Sequence, residues 1–172
     1  MSKKGVFIQM TGLSGAGKTT LAMAVADRLR EQGQQVEVID GDEYRTGLCS
    51  DLGFSKEDRN TNVRRLGFVG RVLARNGVTA IMSAINPYED VRQEIGGKSV
   101  YIKTGLDAVI SRDVKGLYAK ALTGEISNFT GVSDPFDEPA NPDLVIQTDR
   151  ESIKDSTEKL FNFIQGCLSN GF

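Results

Sequence analysis

Apolar residues fall into two rhythms along this chain. Short, mostly apolar runs occur at Val6–Met10, Val36–Ile39, Val78–Ala84, Ser99–Lys103 and Leu144–Ile146. Their length and composition predict short strands, the first of them buried in the manner of a parallel sheet. Between them the apolar spacing changes to three and four. Leu21, Val25 and Leu29, with Ala22 and Ala26 beside them, predict a helix from Lys18 to about Glu31, closed by Gly33. Val63, Leu66, Gly70 and Leu73 predict a second over Thr61–Asn76. Shorter helices are expected over Tyr88–Ile95, stopped by Gly96-Gly97, and over Asp107–Asp113. A terminal helix spans Glu151–Leu168, with Ile153, Leu160, Ile164 and Leu168 inward. Tyr44–Asn60 keeps no period and reads as irregular loop or short helices. Residues 133–142 carry Pro135, Pro139 and Pro142 and read as an extended loop. Met1–Gly5 is a polar lead-in. Strands alternating with helices imply an α/β fold. The expected architecture is a central parallel five-stranded sheet covered on both faces, with the third strand at its centre.

Composition narrows what such a fold does. A chain of 172 residues suits one domain with a sizeable core. Its formal net charge is -2, so it lacks the basic excess of a nucleic-acid binder. There is no histidine, so base catalysis falls to a carboxylate or a lysine. Cys49 and Cys167 are isolated, without metal-ligand spacing, as expected of free thiols in a reducing compartment. No apolar run reaches membrane-spanning length and no signal-peptide core opens the chain. A soluble cytoplasmic protein with no membrane or nucleic-acid partner is expected.

The first strand and the first helix are joined by Gly12-Leu13-Ser14-Gly15-Ala16-Gly17-Lys18-Thr19, which fits G-x-x-x-x-G-K-[ST] in its required strand–loop–helix context. Glycines let successive backbone N–H groups curl around phosphate oxygens, and the helix N-terminus adds free donors and a favourable dipole. Lys18 bridges β- and γ-phosphates in such a loop, and the Thr19 hydroxyl ligates Mg²⁺. The second strand ends in Asp40-Gly41-Asp42. Carboxylates at the carboxyl end of a strand lie where open α/β sheets bind ligands, although Asp-Gly-Asp alone also suits a plain polar turn. Arg45, Phe54 and Arg59 suit a planar anionic ligand, or else a solvated loop with one buried Phe. The glycine-flanked segment around 113–132 fits a lid over the nucleotide, or an ordinary helical connection.

These stretches together resemble the adenylylsulfate kinase family. The matching residues are Gly12–Thr20, Asp40-Gly41-Asp42, Asp51-Leu52-Gly53-Phe54-Ser55, Arg59 with Asn62-Val63-Arg64-Arg65, Arg112-Asp113-Val114-Lys115-Gly116-Leu117-Tyr118, and Phe129-Thr130-Gly131. The resemblance implies a three-layer P-loop nucleotide kinase fold spanning 1–172. It implies transfer of the ATP γ-phosphoryl group to the 3′-hydroxyl of adenylyl sulfate, with Mg²⁺, in a homodimer. It assigns Gly12, Ser14, Gly15, Ala16, Gly17, Lys18, Thr19, Thr20 and Arg112 to ATP. Asp42 becomes the base or hydroxyl-orienting carboxylate. Arg45, Arg59 and Asn62 hold phosphosulfate and adenine edges, Phe54 and Phe129 sandwich the adenine, and Ile85 and Lys115 complete the acceptor site. Where the family has Ser-Pro-Tyr/His-Arg, this chain has Asn86-Pro87-Tyr88-Glu89, so the phosphorylatable Ser is absent and a charge is reversed near the acceptor side. The segment between Tyr88 and Arg112 is also shorter than the family's. Two alternatives stand beside the resemblance: a paralogous kinase of a related conjugate such as a cytidine-diphosphate derivative, and a silent nucleotide-binding regulator.

Overall fold

The computed structural model describes residues 5–170, the side chain of Asn170 aside, so most of the polar lead-in lies outside the described residues. Five strands, β1 (Phe7–Thr11), β2 (Val36–Asp40), β3 (Thr79–Ser83), β4 (Lys98–Lys103) and β5 (Leu144–Gln147), form one sheet in the order β2-β3-β1-β4-β5. Every pairing is parallel. The expected five-stranded parallel sheet is present, but its centre is β1, not the third strand. Both β1 and β3 are buried at every position, and complete burial does not separate a central strand from its neighbour.

Helices cover both faces. The helix α1 (Lys18–Glu31) packs with the C-terminal helix, Ile153–Asn170, through Leu21, Val25, Leu29, Leu160, Phe161 and Ile164 against Ile8, Met10 and Ile102. On the other face α3 (Lys56–Arg75) and α4 (Glu89–Ile95) bury Val63, Leu66, Val91 and Ile95 against Phe7, Ala80 and Met82. Between β2 and α3 lies α2 (Gly41–Tyr44), a single turn capped by Asp40, whose side chain accepts from the N–H groups of Asp42 and Glu43. The Asp-Gly-Asp segment is therefore a capping turn and a strand-end carboxylate pair at once.

Two further expectations need correction. Residues 56–60 are not irregular: Ser55 accepts from Asp58 N, and Glu57 and Asp58 sit in the first turn, so capping starts α3 before its apolar period begins. Ile153 is 67% exposed, because it opens the last helix beyond the sheet, and Phe161 fills the core instead.

The segment after β4 forms a third apolar cluster of its own. It contains α5 (Leu106–Arg112) and α6 (Leu117–Leu122), and it buries Val109, Tyr118, Ala121 and Phe129 against Leu13 of the phosphate-binding loop. Asp113 caps α6 by accepting from Tyr118 N and Ala119 N. The final helix of the chain is α7 (Ile153–Asn170).

Candidate active site

The chain switches sides of β1 when it passes from β3 to β4, and open α/β sheets bind ligands at the carboxyl ends of strands at such a switch. The glycine-rich loop rises there. A Cβ at Gly12 would lie 2.5 Å from the Ile102 carbonyl oxygen, so only glycine allows the loop to cross the sheet this closely. Gly17 takes φ 100°, a left-handed conformation, and delivers the chain into α1. Lys18 is buried, and its Nζ donates to the carbonyls of Gly12 at 2.9 Å and Leu13 at 2.7 Å. Burial pulls its pKa down to about 8, against the upward pull of Asp42. Gly15, Thr19 and Thr20 remain exposed at the mouth.

The rest of the loop is braced from behind. Tyr118 Oη donates to Ser14 O at 2.7 Å, and Thr148 Oγ1 donates to Ala16 O at 2.6 Å. Arg112 Nη2 donates to Thr148 O at 2.8 Å, and its Nη1 reaches Gly15 O at 3.4 Å. Arg112 is thus beside the loop. Thr148 is an addition the sequence did not single out, and Tyr118 stood in the family motif without an assigned role. Thr148 had one readable signal, its place just past the carboxyl end of β5.

Strand register gathers oxygen donors beside the loop. Asp40 pairs with Ser83 across β2 and β3. The Thr19 hydroxyl donates to Asp40 Oδ2 at 2.7 Å and lies 2.9 Å from Ser83 Oγ. This all-oxygen set is hard-ligand chemistry and suits Mg²⁺, which commonly takes few protein ligands and completes its shell with phosphates and water. Ser83 escaped the sequence reading. Among the described residues no cluster of His, Cys, Asp and Glu forms a protein-only metal cage.

Of the residues expected to hold an acceptor, Arg45, Phe54, Arg59 and the segment before Phe129 meet one another, whereas Ile85 bonds to the loop and Lys115 to Asp42. Arg59 and Asn62 lie three residues apart on one face of α3, both buried. Arg59 Nε donates to Phe54 O at 3.1 Å and its Nη2 to Asn128 O at 2.6 Å, joining the segments that carry Phe54 and Phe129. Burial, and Arg45 nearby, disfavour the charged form of Arg59, so an anion here would relieve it. Asn62 Oδ1 is buried without a hydrogen-bond partner, an acceptor left for a ligand's N–H. The two aromatics differ. Phe54 is 55% exposed, with Arg45 Cζ 4.4 Å from its ring centroid. Phe129 is 7% exposed and meets Tyr118 edge-on at 5.0 Å. Ile85 is half-buried, and its carbonyl accepts from Gly12 N at 3.2 Å and Thr11 Oγ1 at 2.8 Å. Lys115 reaches from the segment before α6 to ion-pair with Asp42. The reversed charge at Glu89 is neutralised inside the protein: its carboxylate binds Arg92 at 2.7 Å.

Around the carboxyl ends of β1 and β2 the chain thus places Lys18 in the loop, Arg112 beside it, Asp40 on the Thr19 hydroxyl and Lys115 on Asp42, while Arg45 and Arg59 flank the Phe54 ring. That arrangement can neutralise two polyanionic ligands and accept one proton. The adenylylsulphate kinase family model matches residues 4–147. An adenylyl-sulfate kinase from Rippkaea orientalis is 49% identical, covering 96% of this chain and 94% of its own. A probable adenylyl-sulfate kinase from Synechocystis is 50% identical, covering 94% of each. The solved structure of the APS kinase CysC of Mycobacterium tuberculosis in complex with AMPPNP and APS is 40% identical, with TM-score 0.88, covering 95% of this chain and 99% of its own.

Proposed function

The chain belongs to the adenylylsulphate kinase family, and we propose that it transfers the ATP γ-phosphoryl group to the 3′-hydroxyl of adenylyl sulfate, giving ADP and 3′-phosphoadenylyl sulfate. The enzyme is an ATP-dependent phosphotransferase. The observation that carries the acceptor reading is the buried Arg59–Asn62 pair, a cation and an orphaned acceptor on one helix face beside the exposed ring of Phe54.

ATP lies along Gly12–Thr20, its phosphates on the loop's N–H groups and Lys18, with Arg112 at its outer side. Thr19, with Asp40 and Ser83 around it, would hold Mg²⁺, which when bound neutralises charge on the β- and γ-phosphates. Adenylyl sulfate stacks on Phe54, with Phe129 closing the other side and Asn62 accepting from the base. Arg45, Arg59 and Lys115 face its phosphosulfate. In the reaction the ribose 3′-oxygen bonds to the γ-phosphorus, the bond to the β,γ-bridging oxygen breaks, and the hydroxyl proton passes to Asp42. Lys115 occupies Asp42 in the free protein. An anionic acceptor draws Lys115 onto its own oxygens and frees the carboxylate. The segment 113–132 thus acts as a lid that reports on both substrates. The enzyme works in the cytoplasm, where ATP is abundant and the free Cys49 and Cys167 stay reduced, and it assembles as a homodimer. Among the described residues no helix is long and apolar enough to cross a membrane.

Coupled ADP release tests the assignment. Adenylyl sulfate should support turnover at concentrations where cytidine-diphosphate conjugates and guanosine analogues do not; equal turnover with a cytidine conjugate would refute it. The aromatic pair gives a second test. Base stacking on the order of 1–3 kcal/mol per ring predicts that Phe54→Ala raises the acceptor KM roughly 5- to 150-fold. ATP KM and melting temperature should hardly move, since the ring is more than half exposed. Phe129→Leu should raise the acceptor KM and also lower the melting temperature, because Phe129 is packed on Tyr118. An unchanged acceptor KM in Phe54→Ala would remove the sandwich.

A further inference from the structure

Arg92 is 3% exposed on α4, is assigned to neither ATP nor acceptor, and has all its guanidinium nitrogens engaged. Its Nε and Nη2 bind one oxygen of Glu89, at 2.9 Å and 2.7 Å. Nη1 donates to Asn86 O at 2.8 Å and reaches Thr11 Oγ1 at 3.5 Å. Nη2 also donates to Asp137 O at 2.6 Å. One guanidinium therefore joins the end of β1, the 85–88 turn, α4 and the 133–138 loop.

The neighbouring bonds tighten the same junction. Asp137 N donates to Pro87 O at 2.9 Å, and the Asp137 carboxylate accepts from Glu89 N at 3.2 Å. Tyr88, the residue before α4, offers no side-chain cap, so Asp137 supplies one from a distant loop. Asn86 holds φ 50°, unusual for a residue with a side chain. Its Nδ2 donates to Gln9 Oε1 at 2.9 Å, and its carbonyl accepts from Thr11 Oγ1 at 2.8 Å. Gln9 Nε2 in turn donates to Arg92 O at 2.8 Å. A backbone in a sparsely populated conformation persists where its surroundings over-determine it, and such places cluster at ligand clamps.

The two segments so joined both lead into the acceptor site. The 85–88 turn begins with Ile85, bonded to Gly12. The 133–138 loop continues from Phe129, whose segment Arg59 ties to Phe54. We propose that Arg92, with Asp137, is a positioning residue for acceptor binding: the clasp holds the Ile85 turn and the Phe129 loop at one separation, and so sets the affinity for the acceptor nucleotide without touching it. Glu89 is its counter-ion, so the charge at that position serves the clasp rather than the ligand. The inference rests on the adenylyl sulfate reading above.

Steady-state kinetics on Arg92→Lys and Asp137→Ala test it, each substrate varied in turn, with hydrogen exchange on the same proteins. Lysine keeps the charge but has no planar fork to bridge Glu89, Asn86 and Asp137 together. The acceptor KM should rise about tenfold or more in Arg92→Lys and at least about threefold in Asp137→Ala, with ATP KM within about twofold. Exchange at the amides of Glu89 and Asp137 should quicken in both variants. Asp137 is a loop residue outside the core, so it decides the matter if Arg92→Lys does not fold. Acceptor and ATP KM moving together, or an unchanged acceptor KM beside wild-type exchange, would overturn the clasp. A wild-type protein that ignores adenylyl sulfate would instead refute the substrate reading, and unchanged exchange at those two amides would then still refute the clasp.

Discussion

Lys18→Met is expected to lower kcat/KM by roughly 10³-fold or more, on the scale of removing a cation that neutralises a transferring phosphoryl group. The methionine keeps the stem and volume, so the protein should fold. Lys18 is buried with its Nζ on two loop carbonyls, and its pKa of about 8 lies below the ordinary 10.5 because burial disfavours the charge. Two pH effects follow. Between pH 8 and 10.5 the unfolded wild-type chain holds a proton at Lys18 that the folded one has released, so folding stability gains as pH rises. Relative to Lys18→Met, wild type should gain about 3 kcal/mol across that window, taking 2.5 units from those two values at 1.36 kcal/mol each. Bound ATP reverses the preference, because phosphate beside Nζ favours the ammonium. ATP affinity should therefore fall above pH 8 in wild type and show no such fall in Lys18→Met. Denaturant melts and ATP titrations across pH 6.5–10 check both. Near-normal turnover in a folded Lys18→Met protein would overturn the role of the loop.

Asp42→Asn is expected to reduce kcat by roughly 10²- to 10⁴-fold, the usual contribution of a general base, with a much smaller change in ATP KM. Geometry separates the two carboxylates at the end of β2. Asp40 already accepts from Asp42 N, Glu43 N and the Thr19 hydroxyl. Those bonds fit it for capping α2 and for ordering the Thr19 hydroxyl proposed to hold Mg²⁺. The Asp42 side chain is 75% exposed and is ion-paired with Lys115, a pair that is weak in solvent and open to exchange. Asp40→Asn should accordingly raise ATP KM and the Mg²⁺ requirement, with a milder effect on kcat at saturation. Lys115→Met should raise the acceptor KM, and it should not mimic Asp42→Asn. A severe kcat defect in Asp40→Asn beside a mild one in Asp42→Asn would move the base to Asp40. Rapid-quench measurement of the first turnover distinguishes lost chemistry from slow product release.

Much of this molecule is written in local pattern. The five apolar runs became the five parallel strands, fully buried in β1 and β3 and partly exposed in β2, β4 and β5. Leu21, Val25 and Leu29 marked α1, since a helix laid on a sheet needs one stripe. The phosphate-binding loop was readable residue by residue, because its chemistry is done by backbone conformation and two adjacent side chains. Where the pattern misled, the deciding interaction was a cap or an end effect. Ser55 extended α3 back to Lys56, and Ile153 escaped burial by standing at a helix start.

Spacing along the chain could not reveal contacts made by register and topology. Asp40, Ser83 and Thr19 meet because β2 pairs with β3 in one register and α1 passes above it. Nor could the sequence say that Lys115 lies on Asp42, that Asp137 caps a helix many residues before it, or that Glu89 is spent on Arg92. A strand or a phosphate loop is satisfied by neighbours a few residues away, so its signal is local. A buried charge is tolerated only where distant segments bring it partners. The sequence by itself determined the five strands, the longer helices and the glycine-rich loop; the tertiary structure decided the short helices α2 and α6, which strand is central and which carboxylate stays exposed, because these depend on groups that only folding brings together.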